Sequence, residues 1–132
     1  MPLNIELKPN EKIFINGAVI ANGPSRTQLT ILNDAAILRE RDIYTADSAN
    51  SPCKRIYFTI QCMYMDQESG SDYLPILQNQ TAEILEAAPS TAEILSEISR
   101  DVAEGKLYTA LKAAKKLIDY EQKLLDHARQ ST

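Results

Sequence analysis

Few residues of this chain have the types and spacing that catalysis needs. Its 132 residues include one histidine, His127, and two cysteines, Cys53 and Cys62. His127 has no neighbouring cysteine, and the two cysteines lie too far apart for a C-x-x-C redox or zinc signature. The sequence therefore offers no evident pairing of a nucleophile with a general base and no evident metal-binding cluster. We expect a protein that is not an enzyme and that holds no metal and no cofactor.

Acidic pairs and phosphate-binding loops add nothing to a catalytic interpretation. Glu93 with Glu97, and Asp101 with Glu104, have helical spacings that are typical of an exposed helix face. The sequence contains no G-x-x-x-x-G-K-[ST] loop and no G-x-G-x-x-G loop. The remaining chemistry lies with the basic side chains.

Two short basic clusters flank a polar loop in "ILRERDIYTADSANSPCKRIYFTIQCMYM", residues 37–65. In an extended strand, Arg39 and Arg41 would lie on one face, with Glu40 and Asp42 on the other. A guanidinium group can bind phosphate through two hydrogen bonds and can stack on a base. An alternative is that these arginines form ion pairs with acidic residues on neighbouring strands.

These clusters define a candidate RNA-binding site. The primary candidates are Arg39, Arg41, Lys54 and Arg55, and the secondary candidates are Lys8, Lys12, Tyr44 and Tyr57. The formal net charge of −4 argues against a general nucleic-acid binder, because such proteins usually carry a basic excess that neutralises phosphates. Any RNA contact is therefore expected to be local and selective.

The first half of the chain has the pattern of antiparallel strands. The segments "NIEL", "KIFINGAVIANG", "QLTILND" and "RIYFTIQCMYM" are rich in β-branched and aromatic residues and are bounded by turn residues. Asn16-Gly17 predicts a type I′ hairpin, in which both central residues need positive φ. We expect five or six strands before residue 66, with "RIYFTIQCMYM" as the longest.

After "DQESGSDYLP" the pattern changes to that of helices. "ILQNQTAEILEAA" predicts the first helix, and Ser90 with Glu93 has the spacing of a capping box that would begin the second. Gly105 is placed to end that helix in the left-handed conformation. The expected fold is α+β, with one domain over residues 1–132, a β-rich part over 1–65 and about three helices over 74–129.

The last predicted helix is long for so small a protein. Its apolar seam comprises Leu107, Leu111, Ala114, Ile118 and Leu125. Part of this seam is then available to a partner, or the helix simply frays at its end. Together with exposed strand edges, the long seam leads us to expect a homo-oligomer, with a dimer as its form.

Nothing in the sequence predicts a membrane or secretory location. "MPLNIELKPNEK" has charges and proline where a secretory signal needs an apolar centre, and no apolar run approaches a membrane span. We expect a cytoplasmic protein.

The ordered segments "LKPNEKIFINGAVIANG", "ILRERDI", "CKRIYFTIQCMYM" and "YTALKAAKKLIDYE" resemble the FlbT family of flagellum biosynthesis repressors over nearly the whole chain. The resemblance implies a post-transcriptional regulator that binds the 5′ untranslated region of flagellin mRNA and represses its translation or promotes its decay. It also implies FlaF as a companion or antagonist.

Two functions remain open at this point. In the first, the basic clusters bind the flagellin mRNA leader. In the second, the protein is an adaptor or chaperone-like module that binds FlaF or flagellin and affects the mRNA only indirectly, which the net acidity favours.

Overall fold

The computed structural model describes residues 2–130, which fall into two compact units that divide between Ile43 and Tyr44. The strands lie in the first unit and the long helices in the second. This arrangement confirms the α+β class, with antiparallel strands first and helices after them. That the two units make one domain stays a prediction.

Five short strands are present in the described part of the first unit. They are β1 (Leu3–Leu7), β2 (Lys12–Ile15), β3 (Ala18–Ala21), β4 (Thr27–Ile31) and β5 (Ile37–Arg39). β1 pairs with β4, and β2 lies between β3 and β5, with antiparallel pairing throughout. Ile5, Leu7 and Ile13 form the buried cluster of this unit.

The hairpin between β2 and β3 forms where the sequence predicts it. Asn16 and Gly17 have φ values of 46° and 88°, which are the positive values that a type I′ turn requires. Gly105, with φ 75°, likewise occupies the left-handed region after a helix, as expected.

The second unit contains four helices within the described residues. They are α1 (Pro52–Met65), α2 (Leu74–Ala87), α3 (Ala92–Ala103) and α4 (Leu107–Gln130). Short 3₁₀ segments at Glu40–Asp42, Gln67–Tyr73 and Pro89–Thr91 connect elements. α1 packs against α2 and α4, and α3 also packs against α4. α1 and α4 therefore each pack against two other helices of this unit.

The expected long strand "RIYFTIQCMYM" is wrong, because these residues belong to α1. Ser51 accepts a hydrogen bond from the backbone N–H of Lys54, and Pro52 follows at the first helical position, so the Ser-Pro pair begins a helix. Ile56 and Ile60 are fully buried at helical spacing. Strand propensity is a weak preference, and burial of this helix face in the core overrides it. The β-rich part accordingly ends before α1 rather than at residue 65.

The expected capping box of the second predicted helix is also wrong. Residues 89–91 form a 3₁₀ turn, Thr91 is the N-cap of α3, and no side chain caps it. The Ser90 hydroxyl instead accepts a hydrogen bond from the Tyr120 hydroxyl at 2.6 Å. Over residues 2–130, no helix combines the length and the apolar character that crossing a membrane requires.

Candidate nucleic-acid interface

Arg39 lies at the end of β5 and is engaged inside the first unit. Its guanidinium donates to the Glu6 carbonyl and contacts the Glu11 carboxylate at 3.3 Å, with side-chain exposures of 29% for Arg39 and 13% for Glu11. Among the described residues, its buried Nε has no hydrogen-bond partner. Arg39 therefore fits the alternative given in the sequence analysis, in which the arginine forms an ion pair with an acidic residue of its own fold.

Glu11 is held as a carboxylate by two neighbours. The backbone N–H of Lys8 donates to Oε1 at 2.9 Å, and this bond is the largest effect on the pKa of Glu11, which it lowers. Burial opposes it, and the charge of Arg39 then lowers the pKa further, so that the pKa is lowered overall. The pair links β5 to the turn between β1 and β2. Its evident role is to hold strands together.

Arg41 does not share a strand face with Arg39. β5 ends at Arg39, and residues 40–42 form a 3₁₀ turn, so the expected alternation along an extended strand is wrong. The reason is that Glu40 turns back, and its carboxylate accepts the Lys12 backbone N–H at 3.0 Å. The Arg41 side chain is 75% exposed, and its Nε lies 4.0 Å from the Asp42 carboxylate. An exposed pair of this length is weak and leaves the cation accessible.

Lys54 and Arg55 lie in the first turn of α1, in the second unit. Arg55 is exposed, and Lys54 is half-buried with Nζ 3.4 Å from the Asn50 side-chain oxygen. Helix N-termini attract anions, but here Glu121 of α4 already occupies that position. Its carboxylate accepts the Ser51 hydroxyl at 2.6 Å and the Cys53 N–H at 3.2 Å. Only the two side chains remain for an external phosphate.

The same carboxylate affects a buried thiol. Burial, together with the nearby charge of Glu121, raises the pKa of Cys53 to about 12. Burial also raises the pKa of Cys62. Both thiols are therefore protonated at neutral pH, and a nucleophilic thiolate is disfavoured at each position.

The secondary candidates differ in accessibility. Lys8 and Lys12 are exposed. Tyr57 is only 1% exposed, and its ring packs edge-on against Tyr44 with centroids 5.1 Å apart. Gln61 further holds Tyr44 by bonding its backbone N–H and carbonyl, each at 2.8 Å. Base stacking on Tyr57 would require the core to open. Tyr57 is therefore not accessible to RNA in this structure, unlike the exposed lysines.

Sequence reasoning missed a further set of cations on α4. The sequence pattern of that helix was interpreted through its apolar seam alone. The side opposite the seam carries Lys112, Lys115 and Lys116 beside the exposed ring of Tyr108. The signal was available, because residues three or four positions apart share a helix face.

The fold and these surfaces define a small α+β protein that has exposed cations on a turn, at the start of a helix and along a second helix, among other positions. The family model described as "Flagellar protein FlbT" matches residues 3–125. The chain belongs to the FlbT family.

Curated relatives match along almost their entire lengths. A protein of Rhodopseudomonas palustris strain TIE-1, named probable flagellum biosynthesis repressor protein FlbT, is 43% identical over 125 residues, which cover 95% of this chain and 98% of the relative. The flagellum biosynthesis repressor protein FlbT of Caulobacter vibrioides strain ATCC 19089 is 36% identical over 129 residues, covering 96% and 92%. No solved structure matches significantly.

Proposed function

We propose that this protein is a cytoplasmic, post-transcriptional regulator of flagellin synthesis that binds the 5′ untranslated region of flagellin mRNA. By binding there it represses translation or promotes decay of the message. The observation that carries the proposal is the match, over nearly the whole chain, to relatives named flagellum biosynthesis repressors. In this proposal the protein acts by binding and catalyses no reaction.

The accessible cations support a local RNA contact. Arg41 and Arg55 are exposed in the structure, and Lys54 lies beside Arg55 in the first turn of α1. Phosphate contacts of this kind release counterions, so binding weakens as salt rises. Arg39 stays a predicted contact, but using it would require competition with Glu11.

A protein-interaction function is the second candidate, and the surface of α2 favours it. This helix exposes Leu74, Ile76 and Leu85, and its only charged residues are the acidic Glu83 and Glu86. An apolar, acidic helix repels RNA and suits a protein partner. In that case FlaF or flagellin would be bound, and effects on the mRNA would be indirect.

The test measures, by fluorescence anisotropy, the affinity of the purified full chain for a flagellin leader RNA and for a coding-region RNA of equal length. We expect saturable binding that prefers the leader. Lys54→Ala/Arg55→Ala and Arg41→Ala are each expected to weaken it, with circular dichroism unchanged. If the protein does not bind the leader RNA but captures FlaF or flagellin stoichiometrically, the RNA proposal fails and the protein-interaction function takes its place.

A further inference from the structure

The outer side of α4 carries a row of basic side chains. Tyr108, Lys112, Lys115, Lys116 and Lys123 are all exposed, and their spacings of three, four and seven residues place them on one side of the helix. We call these five residues the lysine face. The opposite side holds Ala110, Ala114 and Leu117, which are fully buried. α4 thus has one side in the core and one cationic side.

The lysine face is a local exception in an acidic protein. From Lys106 to Ile118 the sequence contains four lysines and no acidic residue, although the whole chain has a net charge of −4. Asp119 shares this side of the helix, and Asp126 shares it beyond Lys123. Clustered cations of this kind attract a polyanion locally even where the overall charge does not.

Tyr108 gives this surface an aromatic group in a fixed position. The Lys112 ammonium lies 5.1 Å from the centre of its ring, a distance at which a cation is attracted to a ring face. The ring of Tyr64, which is 8% exposed, lies 6.0 Å away at an angle of 46°. Tyr108 itself remains 46% exposed. A ring held by the core and open to solvent suits stacking with a base.

We propose that the lysine face binds single-stranded RNA, with the lysines contacting phosphates and Tyr108 stacking on a base. This inference rests on the proposed function and assigns it a site distinct from Arg41, Lys54 and Arg55. From Tyr108 to Lys123 the face extends for about 22 Å at 1.5 Å per residue. That length accommodates a short unpaired segment, and cations combined with an aromatic ring are the features that recognise one.

The ion pair of Lys116 does not prevent phosphate binding. Lys116 contacts Glu97 at 3.1 Å, with the two side chains 61% and 33% exposed, and exposed ion pairs of this kind contribute little. A lipid surface is a poorer fit, because an amphipathic helix needs an apolar side to insert and the apolar side of α4 packs in the core around Leu111 and Leu117.

The test measures binding of the full chain to a fluorescent flagellin leader RNA across a series of salt concentrations. Lys112→Gln/Lys115→Gln is compared with Arg26→Gln/Arg100→Gln, which removes the same charge from exposed positions outside the candidate RNA-binding residues. We expect only the first variant to reduce the logarithmic salt slope, by about 1.4, because each phosphate contact on a single strand contributes about 0.7. Tyr108→Ala should weaken binding at least about fivefold and Tyr108→Phe should retain it, because stacking needs only the ring.

Three outcomes would overturn the inference. If the wild type binds the leader and Lys112→Gln/Lys115→Gln keeps its slope and affinity, the lysine face is not the site, although the proposed function stands. If the wild type binds no RNA, the proposed function fails as well. If instead a polyglutamate peptide binds with the same dependence on Lys112 and Lys115 while RNA does not, the face recognises an acidic protein.

Discussion

At the scale of single residues, the structure divides the basic side chains by what already surrounds them. Arg39 contacts a carboxylate and a carbonyl inside the first unit, whereas Arg41 and Arg55 extend into solvent. A side chain that satisfies acceptors within its own fold would lose those bonds on meeting RNA. The ion pair of Arg39 with Glu11 therefore contributes to stability, and the exposed arginines remain accessible to a partner.

We predict that Glu11→Gln destabilises the protein in a pH-dependent way. Folding lowers the pKa of Glu11, chiefly through the Lys8 N–H and then through Arg39. The carboxylate therefore stabilises the fold above its unfolded pKa, about 4.3, and this contribution disappears as pH falls through the lower folded value. Urea midpoints at pH 7 should be lower for Glu11→Gln than for wild type, with the gap closing toward pH 3.

Glu6→Gln is the matched control for that measurement. Glu6 pairs with Arg26 at 2.9 Å, but the two side chains are 62% and 61% exposed, so its loss should change the urea midpoint little. A gap for Glu11→Gln that is equally wide at pH 3 and pH 7 would contradict the assignment.

At the scale of elements, α1 shows how capping adds to packing in stabilising a helix. Ser51 caps the helix through Lys54, and Glu121 of α4 accepts from Ser51 and from the next free N–H. A carboxylate at a helix N-terminus also interacts favourably with the helix dipole. The start of α1 is thus stabilised both locally and by a residue far along the chain.

We predict that Ser51→Ala lowers the free energy of unfolding by about 1 kcal/mol, because it removes an N-cap. Thermal and urea unfolding followed by circular dichroism will measure this loss. Ser99→Ala, at an exposed position within α3, is the control and should change stability little. Equal stabilities of the two variants would argue against the cap.

The hairpin between β2 and β3 supports a second prediction at this scale. Gly17→Ala places a side chain at φ 88°, which costs about 1 kcal/mol for an L-residue in the left-handed region. Gly23→Ala is the control, since Gly23 lacks a positive φ and an added Cβ there meets nothing within 4 Å. Urea unfolding should show a loss for the first substitution alone.

At the scale of the whole molecule, net charge is distributed unevenly between the two units. Residues 1–43 contain five basic and five acidic residues, so the net charge of −4 falls on residues 44–132. Within the second unit, α2 and α3 are acidic and the outer side of α4 is basic. Surfaces of opposite charge on one unit allow different partners to be bound at different places.

We expect the protein to form a dimer, with twice the 14.7 kDa mass of the chain. β3 exposes all four residues without a charge among them, and α4 exposes Leu124 and Leu125 near its end; uncharged strand edges and apolar patches favour association. Sedimentation equilibrium should show the dimer at micromolar concentrations. Val19→Lys should yield monomers if β3 forms the interface, and Leu124→Ser/Leu125→Ser if α4 does.

A wild type that remains a 14.7 kDa species across that range would contradict self-association. Thr30→Lys, at an exposed position of β4, controls for the effect of an added charge on a strand.

Local patterns were enough to determine much of this protein. The Asn16-Gly17 hairpin and the left-handed Gly105 follow from the conformations that their own residues prefer. The helices after residue 73 follow from apolar spacing along the chain. For these elements, propensity, turn chemistry and periodicity all favour the same structure.

Tertiary structure decided what those local patterns left ambiguous. "RIYFTIQCMYM" is apolar on most sides, so its period did not distinguish a buried helix from a strand, and packing of α1 against α2 and α4 selected the helix. The same holds for the candidate site: Arg39 is engaged by Glu11, 28 positions away, and Glu121 reaches Cys53 across 68 positions. Contacts between residues so distant depend on the fold that brings them together, and for that reason only the structure could show that Arg39 is engaged by an acidic partner while Arg41 is exposed.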